Sequence, residues 1–424
     1  MIEVIRNAWK IPDLRKKILY TLLMILVFRI GSFVPIPGVN IGVIASIVAS
    51  NGLLQMLDLF NGGALGNFTW FAAGISPYIT ASIVIQLLTI AIPKLEEISK
   101  DGEAGKQKIN RITRIVGVAM GFVTSLGLAL TYGSTSSGDG QTLLINPVWY
   151  NYVFVALVAM SGSAFCIWIG DGITEKGIGN GISLLIFINI VSRVPSTIID
   201  IGKSISSGSV SGWWLPVIVI GVTLILVGIV FVDRAERRIP IQYAKRVVGR
   251  KMYGGQATHI PMKVNNSGVM PLIFASTMLQ FPAIILSLVW PKGAEAYNKF
   301  MSFTGPWYAL ALSILILFFA YFYSTIAFNP IEISKNLQQN GGFIPGIRPG
   351  IQTSQYLGRV SSRITLFSAL FLAILALLPT LVYSAIGISG FAATSMLIMV
   401  SVALETTKTL ESQLLMRHYK GFLR

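Results

Sequence analysis

One cysteine, two histidines and 17 acidic residues stand in a chain of 424. The lone Cys166 rules out an internal disulfide framework, and its apolar run gives it the part of a small core side chain. His259 and His418 lie far apart in polar segments, so no metal site is built from them. Charge is scarce as a whole. Asp, Glu, Lys and Arg make up 12% of the residues, against roughly 25% in a soluble domain. A chain of this length could not cover a water-facing surface with so few charges. Also missing are a nucleotide-binding Gly-Lys-Ser/Thr loop, a Ser/His/Asp or Cys/His set, and a His-x-x-x-His pair. An enzyme reading therefore has no support, and no cofactor is expected. The acids lie in loops or at span ends, apart from Asp58 in a short apolar segment. A coupled transporter would need titratable groups at mid-membrane.

What is present is apolar: 53% of the residues, in recurring runs of about 20. The fold class is an all-α polytopic membrane protein with ten spans. The clear spans are Ile18–Phe33, Thr69–Ile92, Ile115–Tyr132, Val148–Ile169, Trp213–Val232, Val269–Val289, Trp307–Phe328 and Ile364–Ile386. Two are weaker. Ile182–Ile199 is broken by Ser192, Arg193 and Pro195, and Phe391–Leu404 must borrow residues beyond Glu405. Residues 1–17 read as an amphipathic interfacial segment rather than a cleavable signal.

The basic residues set the orientation. With ten spans and a cytoplasmic N-terminus, 28 of the 33 Lys and Arg fall inside and four outside. If the fifth segment did not cross, the split would be 16 against 16. Positive residues in short loops stay on the cytoplasmic side, so both termini are expected there. Arg29 lies within the first span, near enough to its end to snorkel or to contact another helix.

Several segments do not fit a plain bundle. Residues 35–68 contain Gly42–Ala49 and Leu53–Phe60, each too short to cross, followed by Asn61, Gly62 and Gly63. They fit either a re-entrant, cavity-filling segment or an outer cap on the membrane. Two inside loops, 233–263 and 329–360, are long for a compact protein, and loops of that length are usually functional. A protruding basic surface suits an acidic partner such as anionic lipid, an acidic protein face or RNA phosphate.

Polar residues mark two spans. Span 2 has Thr80, Ser82, Gln86 and Thr89. Span 7 is entered through Asn265-Asn266-Ser267 and carries Ser276, Thr277 and Gln280. They fit hydrogen bonding between helices, or a seam that must open. Ile75 and Ile79, like Ile182 and Ile186, share a helix face. That spacing fits lipid contact or core packing. It also fits a ring that seals a pore by dewetting.

Five strings carry a resemblance: FRIGSFVPIPG at Phe28–Gly38, GISPYITAS at Gly74–Ser82, GIGNGIS at Gly177–Ser183, YAKR at Tyr243–Arg246 and FIPGIRPG at Phe343–Gly350. In order and spread, the chain resembles the SecY family, channel subunits of the bacterial protein-secretion translocon. The resemblance implies two five-helix halves, residues 1–200 and 213–424, inverted about a central pore and hinged at 201–212. It implies a pore ring of Ile75, Ile79, Ile182, Ile186, Ile273 and Ile398. A plug at about 53–67 would include Leu57, Phe60, Asn61, Gly62 and Gly63. A lateral gate would include Thr80, Gln86, Asn265, Gln280 and Phe281. Docking residues would be Arg246, Arg250, Lys251 and Arg348. The implied partners are SecE and SecG, the SecA motor ATPase, the ribosome, preprotein signal sequences and anionic lipids, at the inner (plasma) membrane. The pattern softens at Ser76, where a larger apolar residue is common, and at Ala392-Ala393 in place of a glycine pair. The implied function is passage of unfolded polypeptide and lateral release of apolar segments into lipid. From the residues alone, a solute permease and a non-transporting docking scaffold stay open.

Overall fold

The computed structural model describes residues 6, 9–50, 54, 58, 61–133, 142–207, 211, 213–243, 246–248, 251–253, 257–302, 305–386 and 393–421. Each of the ten expected spans coincides at least in part with a helix, but Thr69–Ile92 is helical only from Ser76, its first seven residues being a β-bridge, turns and bends. In chain order these are α1 (Pro12–Gly31), a short α2 (Ile41–Ser50), α3 (Ser76–Ala91), α4 (Pro93–Lys100), α5 (Gly102–Tyr132), α6 (Trp149–Lys176), α7 (Gly181–Ser206) and α8 (Trp214–Arg234). Then follow strands β1 (Glu236–Tyr243), β2 (Arg246–Val248), β3 (Lys251–Tyr253) and β4 (Ala257–Lys263). The chain continues through α9 (Met270–Val289), α10 (Pro291–Phe300), α11 (Pro306–Ala327), α12 (Pro330–Gln339), β5 (Gly342–Phe343), α13 (Ile351–Ile386) and α14 (Ala393–Gly421).

Among the described residues, six helical stretches are long and apolar enough to cross a bilayer. A seventh forms if α3 and α4 are one span bent by 101°. The bend sits at Pro93, which lacks an N–H and holds Ile92 in extended backbone. The other expected spans miss that test for visible reasons. Basic residues stand near both ends of α1 (Arg15, Lys16, Lys17 and Arg29). In α9 the apolar stretch is Met270–Ala283, and in α14 it gives way to charge at Glu405. Asparagine side chains start two helices. Asn180 accepts from Ile182 N and Ser183 N at the head of α7, and Asn329 from Ile331 N and Glu332 N at the head of α12.

The chain divides into two compact units. One comprises Met1–Ser211, Thr277–Tyr308 and Val382–Arg424. Here α5 and α6 pack closely and are joined by the Arg114–Asp171 ion pair at 2.7 Å. Small residues permit close approaches to α6, Gly121 of α5 facing Ser163. A Cβ on Gly162 of α6 would fall 1.9 Å from the carbonyl oxygen of Trp70. Phe28, Phe71, Trp70, Phe165 and Trp168 form a ladder of stacked rings, with neighbouring centroids 5.2–5.5 Å apart. Leu14, Ile178 and Leu410 gather the start of α1, the loop before α7 and α14. Arg29 lies over the Phe33 ring, 5.4 Å from its centroid.

The segment between α1 and α3 folds into this unit. Val43, Ile44, Val48, Leu54, Leu65 and Phe68 are buried with Ala129 of α5 and Val155 and Ala159 of α6. One face of α2 is thus packed on α5 and α6, while Ile41, Gly42, Ala45 and Ser46 on its other face are exposed. Hydrogen bonds from Ile36 N to Phe68 O (3.1 Å) and Trp70 N to Val34 O (2.8 Å) tie the end of the segment back to its beginning.

The other unit comprises Gly212–Ser276 and Ala309–Leu381. Here the two long basic loops are not separate. β1 pairs antiparallel with β4 on one side and with β5 on the other, giving the order β4-β1-β5. Strand alternation buries Ile239 and Ile241 of β1. Ile239, Met262, Ile344 and Leu357 form a small core under the sheet. The sequence pattern had pointed to loops only.

Candidate functional site

The glycine-rich segment Asn61–Gly74 and the helix face it lies on make the most chemically specific arrangement in the first unit. The segment turns on itself. Asn61 Nδ2 donates to Ala72 O at 3.0 Å, and Thr69 N to Ala64 O at 2.9 Å. Gly62 and Gly63 have φ values of 64° and 90°, in the left-handed region that glycine enters without steric cost. They also give room. A Cβ on Gly62 would lie 2.6 Å from Asn189 Oδ1, and one on Gly63 would lie 2.9 Å from the Arg193 guanidinium. Asn189 and Arg193 are one turn apart on α7, so they share a face. Arg193 forms an ion pair with Asp58. Asp58 is only 4% exposed, and its Oδ1 accepts from Gly66 N at 2.7 Å.

Sequence reasoning named Asn61, Gly62 and Gly63 but missed Asn189 and Arg193. In the sequence Arg193 reads only as one of three interruptions of the fifth span. The available signal was a pair: one acid away from loops and span ends, and one base in the middle of a span. Leu57 and Phe60 lie outside the described residues.

Five of the six isoleucines belong to this first unit. Ile75, at the head of α3, and Ile186 of α7 and Ile398 of α14 are buried, while Ile79 and Ile182 are half-buried. α14 packs on α7. Ile273 is half-buried and belongs to the second unit.

The polar residues of span 2 bond within their own helix. Thr80 Oγ1 donates to Ser76 O at 3.1 Å, Thr89 Oγ1 to Ile85 O at 2.7 Å, and Gln86 Nε2 approaches Ser82 Oγ at 3.4 Å. Ser276 does likewise in α9, to Ile273 O at 2.9 Å. Asn265 is buried within the second unit. Its Nδ2 donates to Asp233 Oδ1 at 3.3 Å, and its Oδ1 accepts from Ser368 Oγ at 3.2 Å. Phe281 is half-buried in α9, and the side chain of Gln280 lies outside the described set.

Of the docking residues, Arg348 is exposed at the turn between β5 and α13. The turn is held by Thr353 Oγ1 donating to Arg348 O (2.9 Å) and Ser334 Oγ to Gly350 O (2.7 Å). Arg246 is in β2 and Lys251 in β3, which pair antiparallel. Their side chains, and Arg250 altogether, lie outside the described residues.

These features define an all-α polytopic membrane protein with a broken, glycine-rich segment folded back among its helices. The family model described as SecY matches residues 69–407. A protein translocase subunit SecY of Streptomyces galbus is 43% identical over 444 residues, covering all of both chains. The chain belongs to the SecY family. At the level of fold, it is similar to a solved protein-conducting channel with a TM-score of 0.67 at 18% identity, over 94% of this chain and 92% of that one. A second solved structure, described as the plug domain of SecY stabilising the closed translocation channel, has a TM-score of 0.63 at 18% identity over the same shares.

Proposed function

We propose that this protein is a protein-conducting channel. It passes unfolded polypeptide across a membrane and releases apolar segments sideways into lipid. The observation that carries the reading is the Asn61–Gly74 segment, folded back and buried within a helical unit. An open-ended solute site has no need of such a stopper.

In this reading the chain forms two five-helix halves, residues 1–200 and 213–424, joined at 201–212. Ile75, Ile79, Ile182, Ile186, Ile273 and Ile398 ring the pore, and residues 53–67 close it. An apolar, β-branched ring suits the task. It binds no particular side chain and dewets when idle. Thr80, Gln86, Asn265, Gln280 and Phe281 line the lateral gate. The self-satisfied hydrogen bonds of Thr80 and Gln86 support this role, because such groups leave little to break when helices part. The protein is not an enzyme, so a partner supplies the energy. The ribosome and the SecA motor dock on Arg246, Arg250, Lys251 and Arg348. SecE and SecG accompany the channel, signal sequences open it, and anionic lipids meet its basic face. It lies in the inner (plasma) membrane with both termini cytoplasmic, as the 28-to-4 charge ladder supports.

The deciding experiment is preprotein translocation into proteoliposomes holding the chain, its partner subunits and a motor ATPase. ATP-dependent entry of the preprotein is expected. Saturable uptake of a small solute without preprotein entry would favour a permease, and docking alone a scaffold. Replacing Arg348 with Glu should weaken engagement of the motor or ribosome about tenfold, the scale of losing a charge-assisted contact, while leaving membrane insertion intact. Equal binding by the variant in a sedimentation assay would remove Arg348 from the docking surface.

A further inference from the structure

We propose that the Asp58–Arg193 ion pair is a latch that holds the closing segment against α7, and that its strength depends on the site being dry. This rests on the reading of residues 53–67 as the stopper of a channel.

The two ends of the segment are held differently. Its far end is pinned by backbone. Pro35 and Thr69 form an isolated β-bridge, flanked by the Ile36–Phe68 and Trp70–Val34 hydrogen bonds. Its near end, Asp58 to Gly66, is bound to itself by Gly63 N donating to Asp58 O at 2.9 Å and Gly66 N to Asp58 Oδ1 at 2.7 Å. A charged tie from that end to α7 is made by the remaining carboxylate oxygen, Oδ2, which takes the Arg193 guanidinium. The segment is hinged at residues 68–70 and latched at Asp58. Gly62 and Gly63 let its backbone lie directly on Asn189 and Arg193, where any side chain would hold it off.

A carboxylate this deeply buried is costly unless paired. In dry surroundings the pair attracts strongly, and in water the same attraction falls with the dielectric constant. A chain entering between α7 and the segment admits water, weakens the latch and solvates both charges. Opening therefore favours further opening. When the chain leaves and the site dries, the pair re-forms. Arg193 and Asp58 are positioning residues here.

The test uses the full chain with its partner subunits. Arg193→Met and Arg193→Lys both give an unbranched side chain, Met one atom shorter than Lys, and Lys alone keeps the charge. Asp58→Asn keeps the shape and the acceptor for Gly66 N, and serves if Arg193→Met fails to fold. Idle ionic conductance in planar bilayers and amide hydrogen exchange over residues 61–67 are both measured. Loss of a bond to a charged group shifts such an equilibrium by about tenfold or more. Arg193→Met and Asp58→Asn are thus expected to raise both leak and exchange by about that factor, with Arg193→Lys close to the unsubstituted protein. Equal leak and exchange in the Met and Lys variants overturns the latch; faster exchange in the Met variant with unchanged leak keeps the tie and overturns the segment's part in closing the channel. If the unsubstituted protein fails to translocate preprotein, the channel reading falls. The exchange contrast still decides whether the pair holds the segment.

Discussion

Gly162→Val is expected to destabilise the folded protein by about 3 kcal/mol or more, at the upper end of overpacking effects. The neighbour at fault is backbone. The new Cβ would sit 1.9 Å from the carbonyl oxygen of Trp70 and 2.8 Å from its carbonyl carbon. A flexible side chain could swing away, but Trp70 cannot. Its N–H is bonded to Val34 O, and its ring stacks between Phe71 and Phe165. Either α6 moves off or the segment does, and both routes loosen the cluster that joins α2, α5 and α6. Thermal unfolding in detergent, followed by size-exclusion monodispersity, measures the effect. A variant as heat-stable as the parent would mean that this packing is not maintained in the membrane.

The second large effect concerns the proposed ring. Exchanging Ile79 and Ile186 together for Ser is expected to raise idle ion conductance by at least tenfold. Each isoleucine represents about 1.5–3 kcal/mol of apolar transfer free energy, and roughly 1.4 kcal/mol corresponds to tenfold in a rate. Two hydroxyls in place of branched side chains wet the constriction and lower the barrier to a hydrated ion. Ile186 is buried, so its replacement also leaves a cavity. The single Ile79→Ser variant, at a half-buried position, separates the two contributions. Conductance at background in both variants would remove these isoleucines from the seal.

Most of the helices were legible because six of them, among the described residues, hold apolar runs of membrane length, and the one-sided basic residues ordered them and the weaker ones. The weak fifth span is the continuous helix α7, and one of the residues that weaken it binds Asp58. Ser192, Arg193 and Pro195 lower its apolarity, and pattern rules read a single charge only as an interruption. The partner of Arg193 lies in a different segment, 135 residues away, and spacing carries no trace of it. The segment between α1 and α3 was half legible. Asn61-Gly62-Gly63 signals turns, but the residues that the segment packs on, Ala129, Val155 and Ala159, lie far along the chain and leave no mark in its own pattern. The sheet was not legible. β1 opens with Glu236, Arg237 and Arg238, so its alternation shows only at Ile239 and Ile241, and β5 is two residues long with no period at all.

That sheet has a consequence in time. β1 and β4 are close neighbours in the chain and can pair as soon as both exist. β5 pairs through Tyr243 opposite Gly342, so its strand reaches the ribosome exit roughly a hundred residues later, after a long loop has been closed at an entropic cost that grows only slowly with length. Between the two events α9 and α11 must be made and placed. The third strand is therefore the last of the three to become available for pairing. The face proposed to dock a partner is completed only after the sequence of α9 and α11 has been made.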